Sequence, residues 1–475
     1  MSQRQPAIFL TGSVLRHVAV MAATGSVGLM AVFMVDLLNL FYISLLGEAE
    51  LAAAIGYAGT VQFFTTSVAI GIMIAASATV SRALGMGDRS RARALASIAM
   101  LYMLAVMVGL TAASLPILPR VLTWLGAAGH THDIAARYLV MVTLSTPLLG
   151  VGMAASGLLR ATGDAGRAMW VTLGGALITA LLDPILILVL RFGVDGAAMV
   201  TLISRIFLAA YGLHACIVHH GLIGRPDRAA LAGCLKAISA IAVPAILTNL
   251  ATPVGNAYLT AALAPHGDEA VAAWAVIGRI IPVAFGPLFA LTGAVGPILG
   301  QNLGGRLYER LRATLRASLL LTLAYVGMVW ILMILARNHI GAIFGLNADG
   351  RALVAAFCLL PAGSYMFLGA LFVANAAFNN LGAPLLSTAF NWGRATLGTI
   401  PLVWIGNRMA GAEGILLGQA AGAVVFGIAA MINALRLVER IAQRAGAGET
   451  PVESYPAVPE LPPLSSPQDS SAIET

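Results

Sequence analysis

Charged side chains are scarce in this chain, and lysine is almost absent. Only 10% of the 475 residues are Asp, Glu, Lys or Arg, and Lys236 is the only lysine. With 59% hydrophobic residues and a mean hydropathy of +0.90, the composition lies far outside the range of soluble domains. The scarcity of charge therefore excludes a soluble globular protein and indicates a polytopic membrane protein.

Cysteine is also rare. Cys216, Cys234 and Cys358 are odd in number and lack C-x-x-C spacing, so neither a disulfide framework nor a zinc site is indicated. The formal net charge of +7 comes almost entirely from arginine. Basic loops of a membrane protein explain this charge without a nucleic-acid partner, and nothing in the sequence calls for a cofactor.

Twelve apolar stretches are long enough to cross a lipid bilayer as helices that satisfy their own backbone hydrogen bonds. We place them at 17–46, 51–83, 93–117, 135–161, 168–190, 196–219, 237–264, 270–302, 314–336, 352–379, 385–405 and 412–436. The predicted fold class is therefore an all-α polytopic membrane protein with twelve transmembrane helices.

The distribution of arginine predicts the orientation in the membrane. With a cytoplasmic N-terminus, eighteen of the 27 Lys and Arg residues, Arg160 among them, lie on the cytoplasmic side. The other side then holds only Arg120, Arg137, Arg191, Arg337, Arg351 and Arg408, while Arg205, Arg279 and Arg394 fall within spans. The positive-inside rule therefore predicts that both termini face the cytoplasm. The expected location is a bacterial-type inner membrane.

The two halves of the chain echo each other at an offset near 220 residues. SRALGMGDRSRARA (81–94) corresponds to GQNLGGRLYERLRA (300–313), and LLRATGDAG (158–166) to FNNLGAPLL (378–386). Each half holds six spans, an even number, so the repeats are parallel and related by a pseudo-two-fold axis along the membrane normal. Duplicated bundles of this kind typically carry a substrate path between two lobes.

The repeat divides the chain into a cytoplasmic N-terminal segment over 1–16, a first lobe over 17–221 and a linker over 222–236. A second lobe follows over 237–437, and a cytoplasmic tail occupies 438–475. The tail becomes rich in Pro, Ser and acids from Gly446 onwards, so it cannot bury enough apolar surface to fold alone.

Acidic side chains inside the spans are the sharpest indication of a functional site, because a carboxylate facing lipid costs about 2.5–3.5 kcal/mol. Away from the span ends, two such residues occur, Asp36 and Asp183, both in the outer half of the first lobe. Pro184 is expected to disfavour helical geometry at Asp183 and to free a carbonyl nearby. With the polar side chains of Asn39, Thr179 and Thr201, the two acids are predicted to form one cation-coupling pocket. The alternative for Asn39 and Thr179 is ordinary hydrogen bonding between helices.

Other polar residues in the spans are candidates for a substrate cavity between the lobes. Asn249 and Asn256 share one helix face, as do Asn375 and Asn379, and Gln62 and Trp392 could contact an amphipathic substrate. Plain packing or interhelical hydrogen bonding would explain the same residues.

Several motifs together carry a family resemblance. VDLLNLFYISLLGEAELAA, VSRALGMGDRSRARA, GLLRATGDAG, LLDPILI and VGPILGQNLGG resemble, in this order, the multidrug and toxic compound extrusion family over nearly the whole chain except the tail. The resemblance implies twelve helices in two six-helix lobes. It also implies efflux of amphipathic, often cationic compounds in exchange for Na⁺ or H⁺.

The sequence is similar to the branch of this family whose cation site lies in the first lobe. There the acids of helices one and five match Asp36 and Asp183, and a helix-six threonine matches Thr201. The tyrosine and asparagine that precede these acids by one turn are replaced here by Val32 and Thr179. Because Na⁺ is a hard cation that prefers several oxygen ligands, this loss favours H⁺. If Na⁺ is the coupling ion, Asp36 and Asp183 are its expected metal ligands.

These patterns predict a monomeric antiporter, not an enzyme, which exports an amphipathic small molecule by alternating access in exchange for H⁺ or Na⁺. One alternative is a flippase for a lipid-linked sugar, which predicts a basic cavity lined by Arg205, Arg279 and Arg394. A more remote alternative is a membrane-embedded transferase, which requires clustered acids at metal-binding spacing.

Overall fold

The computed structural model describes residues 7–45, 49–124, 126–127, 129–224 and 230–447, and these residues are almost entirely helical. Long apolar runs explain the helices, since each span must close its own backbone hydrogen bonds inside the membrane. The helices are α1 Val14–Leu45, α2 Ala49–Gly85, α3 Arg89–Ser114, α4 Leu118–Trp124, α5 Gly129–Leu144, α6 Thr146–Thr162, α7 Ala165–Asp183, α8 Gly193–His214, α9 Leu231–Leu263, α10 Asp268–Gly304, α11 Tyr308–Ile343, α12 Ala348–Leu359, α13 Tyr365–Asn380, α14 Pro384–Ala395 and α15 Ile400–Gly446.

Within the described residues, ten helical segments are long and apolar enough to cross a membrane, and the pair α5 and α6, bent by 46°, makes an eleventh. The last of the ten, Pro384–Gly446, is 63 residues long. At about 1.5 Å per residue, a straight helix of that length would be roughly three times as long as the hydrocarbon core is thick.

This last segment is in fact two spans. The chain turns at Ala410 and Gly411, where Gly411 has a φ of 56°. Beyond the turn, three glycines pack directly against the backbone of the preceding span, in the antiparallel pairs Gly414 with Gly406, Gly418 with Leu402, and Gly422 with Gly398. The described residues thus contain twelve spans, which confirms the predicted fold class.

The spans form two lobes, α1–α8 and α9–α15, that meet mainly where α1 and α2 pack against α9 and α10. The first lobe ends in a non-helical stretch after a short π-helix, Ala215–His219, and α9 of the second lobe begins at Leu231. Residues 225–229 of the predicted linker and 448–475 of the predicted tail lie outside the described residues. The predicted domain boundaries therefore stay predictions.

At one end of the bundle the lobes are sealed together by a pair of symmetric contacts. Gly85, the last residue of α2, lies so close to the carbonyl oxygen of Gln301 that a Cβ atom would overlap it. Gly304, the last residue of α10, lies equally close to the carbonyl oxygen of Arg82. The internal repeat aligns Gly85 with Gly304 and Arg82 with Gln301, so the two contacts are related by the pseudo-two-fold axis. We call this contact the glycine seam.

The N-terminal residues reinforce the glycine seam. A 3₁₀ turn, Ile8–Leu10, places the buried Phe9 against it, and the Phe9 amide donates a hydrogen bond to Gln301 Oε1 at 3.0 Å. Gln301 Nε2 donates to the Ala161 carbonyl of the first lobe at 2.7 Å. Arg310 of the second lobe donates to the Phe9 carbonyl at 2.8 Å. The seam is therefore held by hydrogen bonds that cross from one lobe to the other.

The prediction that Pro184 disrupts helical geometry at Asp183 is wrong. Asp183 remains right-handed helical, with φ −55° and ψ −53°, and the irregularity follows it as a π-helix over Pro184–Val189. The wider π turn gives room to the proline ring, which in a regular α-helix clashes with the carbonyl four residues back.

Candidate functional site

A cavity of about 310 Å³ lies between the two lobes. Its lining comes from α1, α2, α6, α7 and α8 of the first lobe and from α9, α10, α13 and α14 of the second. Apolar side chains dominate the walls, among them Met73, Met153, Leu208, Phe289 and Phe372. A mostly apolar cavity of this size with a few polar groups has the character of a site for a small amphipathic molecule.

Three of the six residues predicted for a substrate cavity line this one. They are Asn249 on α9 and Asn375 and Asn379 on α13. The other three lie elsewhere. Asn256 is exposed further along α9, Trp392 donates a hydrogen bond to the Leu247 carbonyl at 2.9 Å, and Gln62 accepts one inside the first lobe.

The asparagines of the second lobe form a hydrogen-bonded group beside the cavity. Asn391 Nδ2 donates to Asn375 Oδ1 at 2.9 Å, and Ser387 Oγ donates to Asn379 Oδ1 at 3.2 Å. Both Oδ1 atoms are therefore used as acceptors within the group. Among the described residues, the Nδ2 groups of Asn375 and Asn379 have no protein acceptor, so this wall of the cavity offers hydrogen-bond donors.

Arg160 is the one charged residue in the described lining of the cavity. From the sequence it is counted among the basic residues of the cytoplasmic side, at the end of the span 135–161, and the structure places it in the last turn of α6. Its side chain crosses to the second lobe, where a Cβ atom on Gly293 of α10 would lie 2.5 Å from Arg160 Nη1. Glycine at position 293 thus makes room for the guanidinium group.

The structure describes the side chains of three of the five predicted cation-coupling residues, Thr179, Asp183 and Thr201. Asp36 and Asn39 lie on α1, but their side chains lie outside the described residues. Asp183 is buried, with 1% of its surface exposed. The hydroxyl groups of Thr179 and Thr201 donate to carbonyls of their own helices, Gly175 at 3.1 Å and Ala197 at 2.9 Å. The assigned roles of all five residues remain predictions.

A buried polar cluster nevertheless lies close to Asp183 and Thr201. Tyr138 of α5 is buried near the side chains of Thr201 and Gln62 and lies within electrostatic range of Asp183 and Arg205. Tyr138 is therefore near two of the predicted residues. No group of three or more His, Cys, Asp or Glu side chains able to hold a metal ion occurs within the described part of the chain.

Arg205 of α8 is the centre of hydrogen bonding in this cluster. Its side chain is 8% exposed. Nη1 donates to the Val142 carbonyl at 2.7 Å and to Ser145 Oγ at 2.9 Å, and Nη2 donates to Gln62 Oε1 at 2.8 Å. The guanidinium group thus ties α8 to α2 and to the bend between α5 and α6.

Replacing Arg205 by Ala is expected to destabilise the first lobe by about 3 kcal/mol, because hydrogen bonds to charged groups are worth about 1.5–3 kcal/mol each and are not additive. We expect the melting temperature of the detergent-purified protein to fall by roughly 5–10 °C in a thermal-shift measurement. Arg279→Ala is the matched control, since Arg279 is an exposed arginine within a span. Equal melting temperatures for the two variants would contradict the central place given to Arg205.

Arg160 and Tyr138 are not predicted as site residues from the sequence, and no hydrogen-bond partner is predicted for Arg205. A charge within the last turn of a span was the available signal for Arg160. An in-span tyrosine hydroxyl, which needs a hydrogen-bond partner when buried, was the signal for Tyr138.

The flippase alternative predicts three arginines in the cavity. Arg205 is buried in the first lobe, Arg279 is exposed and Arg394 is partly buried on α14. None of the three belongs to the described lining.

Two duplicated helical lobes around a central cavity, sealed at one end, define a membrane transporter. A family model named MatE matches residues 26–185 and 244–405, one region in each lobe. The chain therefore belongs to the multidrug and toxic compound extrusion family, as the sequence motifs suggested. The family and the structural neighbours are transporters, which also confirms that the protein is not an enzyme.

Relatives of this chain include two kinds of named transporter. An FAD transporter from Shewanella oneidensis is 27% identical over 427 residues, which are 89% of this chain and 94% of the relative. The multidrug export protein MepA from Staphylococcus aureus is 25% identical over 274 residues, or 56% of this chain and 59% of the relative.

Solved structures share the fold. A single-site mutant of the Vibrio cholerae MATE transporter VcmN superposes with a TM-score of 0.86 at 22% identity, covering 90% of this chain and 97% of that one. A MOP superfamily transporter from Pyrococcus furiosus, described as having a binding pocket of reverse polarity, also gives 0.86 at 20% identity, covering 92% and 98%. At this level of identity the likeness concerns the fold alone.

Proposed function

We propose that the protein is a secondary active antiporter that exports an amphipathic small molecule in exchange for a cation by alternating access. The observation that carries the proposal is the cavity between the lobes, closed at one end by the glycine seam and the N-terminal turn. A transporter of this kind works by opening the cavity to one side of the membrane at a time.

The arginine distribution supports an orientation with the glycine seam at the cytoplasmic face of a bacterial inner membrane. The turns after α2 and α10 adjoin the seam, and these turns together with the first residues of α3 and α11 are rich in arginine, including Arg89, Arg91, Arg306 and Arg310. In this orientation the lobes are closed towards the cytoplasm, which corresponds to the state that releases cargo outside. We expect one copy of the chain to contain the complete transport path.

Coupling is assigned to Asp36 and Asp183, with Thr201, Asn39 and Thr179 as neighbours. The burial of Asp183 supports this assignment, because a carboxylate withdrawn from water responds strongly to a bound cation. We favour H⁺ over Na⁺, since Val32 and Thr179 stand where the related branch offers more oxygen ligands. Binding of the cation drives transport only through its different affinity for the two states of the lobes.

The names of two relatives suggest two candidate classes of cargo for this protein. Multidrug export, as named for MepA, fits the apolar walls of the cavity. A flavin nucleotide, as named for the Shewanella oneidensis relative, is the second candidate, and Arg160 in the cavity lining favours it. A lipid-linked sugar flippase is less well supported, because Arg205, Arg279 and Arg394 are not in the described lining.

Gradient-driven transport by the purified full-length protein in proteoliposomes tests the proposal. We expect a pH gradient to drive accumulation of a fluorescent amphipathic substrate, such as ethidium or a flavin, at least about tenfold above protein-free liposomes. A Na⁺ gradient at constant pH should have little effect. Equal uptake with and without either gradient would contradict secondary active transport, and stimulation by Na⁺ alone would overturn the choice of H⁺.

A further inference from the structure

The cavity contains a positive charge that no described residue neutralises. The guanidinium group of Arg160 makes no hydrogen bond or ion pair within the part of the chain that the structure describes, although it offers five N–H donors. The described lining contains no Asp or Glu. A cation placed among apolar side chains without a counter-ion is costly, so a ligand that supplies a negative charge would relieve it.

The opposite wall adds further donors. The Nδ2 groups of Asn375 and Asn379 remain available because their Oδ1 atoms already accept hydrogen bonds from Asn391 and Ser387. Asn379 and Arg160 also line the same small extension of the cavity, next to Gly293. This end of the cavity therefore presents one cation and amide donors, the chemistry that recognises a carboxylate or a phosphate.

Comparison of the two repeats shows that only one lobe carries this charge. In the alignment of LLRATGDAG with FNNLGAPLL, Arg160 of the first lobe corresponds to Asn380 of the second. Both residues border the small extension, and Asn380 Oδ1 is buried there without a hydrogen-bond donor among the described residues. The two lobes thus share a polar position, but only the first lobe carries a charge there.

We infer that Arg160, assisted by the amides of Asn375 and Asn379, is a specificity-determining site for an anionic group on the cargo. The cargo is then an amphipathic anion: its carboxylate or phosphate meets Arg160, and its apolar or aromatic body lies against Met73, Met153 and Phe289. This inference rests on the proposed function in taking the cavity as the path of the cargo, and it departs from the cationic substrates that the family resemblance implies.

Two flavins that differ only by a phosphate group test the inference directly. Riboflavin 5′-phosphate carries a phosphate that riboflavin lacks, and both are fluorescent. In titrations of the purified full-length protein, we expect riboflavin 5′-phosphate to bind about 10- to 100-fold more tightly than riboflavin. Arg160→Gln should abolish this difference by weakening only the phosphate-bearing ligand, and Arg160→Lys should restore part of it.

Two further variants separate recognition from folding. Gly293→Ala keeps the arginine but places a methyl group against its guanidinium, so it should weaken binding of riboflavin 5′-phosphate several-fold while riboflavin binding is unchanged. Arg316→Gln is the matched control, because it removes an exposed arginine of α11 outside the cavity lining and should leave both affinities unchanged.

Three results would overturn the inference: equal wild-type affinity for the two flavins, no saturable binding of riboflavin 5′-phosphate, or an Arg160→Gln variant that keeps the wild-type preference. Its failure can be told apart from failure of the proposed function. Gradient-driven export of ethidium without any preference for the phosphorylated flavin would contradict only the inference. Arg160-dependent flavin binding without any gradient-driven transport would contradict only the proposed function.

Discussion

Asp183→Asn is expected to reduce gradient-driven export to the level of protein-free liposomes while leaving cargo binding intact. The amide has nearly the same shape as the carboxylic acid but neither titrates nor attracts a cation, so the free energy of the ion gradient can no longer bias the two states of the lobes. Asp183 is buried in the first lobe and is not in the described lining of the cavity, which is why binding should survive. Uptake in proteoliposomes and a binding titration on the same preparation measure the two effects.

Asp195→Asn provides the matched control for this prediction. Asp195 lies at the start of α8 in the same lobe, where its carboxylate pairs with Arg137 at 3.1 Å, and both side chains are substantially exposed. Exposed ion pairs contribute about 0–1 kcal/mol, so this variant should transport nearly as well as the wild type. Asp36→Asn should behave like Asp183→Asn. Wild-type export by either of these two variants would overturn the assignment of coupling to the acids of the first lobe.

Gly85→Leu is expected to lower export below about one per cent of the wild-type rate. A side chain at position 85 overlaps the carbonyl oxygen of Gln301, an atom of the backbone that cannot rotate out of the way. Closure of the glycine seam would then cost at least about 3 kcal/mol, which corresponds to a factor of more than 100 in the population of the closed state. The protein should fold, because Gly85 has no positive φ and the clash exists only between closed lobes.

Chemical accessibility reports the state of the seam independently of transport. Ser77 lines the small extension of the cavity beside the seam, so a cysteine introduced there should react with a membrane-impermeant maleimide from the cytoplasmic side only when the seam is open. We expect labelling to be at least about tenfold faster in the Gly85→Leu background. Gly109→Leu is the control, because a Cβ atom at Gly109 meets no other atom within 4 Å. Wild-type transport by Gly85→Leu would show that closure of this seam is not required.

The glycine seam shows what the internal repeat in the sequence predicts and what it leaves open. Aligning residues 81–94 with 300–313 matched Gly85 with Gly304, and the matched glycines face each other's helices across the pseudo-two-fold axis. The sequence identified the equivalence but not the contact, because two equivalent helix ends can equally well lie apart. Whether they touch depends on the state of the lobes, which is a property of the whole bundle.

The lining of the cavity, in contrast, depends on contacts between helices that the sequence does not reveal. Asn249, Asn375 and Asn379, which share helix faces in the sequence, line the cavity, whereas Asn256 and Trp392 are not in its described lining. A helical period places residues on a common face but does not say how far along the helix the partner lobe stays in contact. From the sequence, Arg160 is counted among the charges of the cytoplasmic side, because a charge near a span end normally faces water. Only the packing of α6 against Gly293 of α10 turned it inward.

The sequence by itself determined the membrane environment, the twelve spans, the duplication and the family, because each follows from hydrophobicity, length and motifs that are local along the chain. The tertiary structure alone decided which charges face the cavity, which acid is buried, and that one end is sealed. Those outcomes depend on contacts between residues far apart in sequence, such as Arg160 with Gly293 and Arg205 with Gln62, and on the close approach that glycine permits. A charge in a span costs energy wherever it lies, and only the partner brought near by folding determines whether it is neutralised, hydrogen-bonded or left for a ligand.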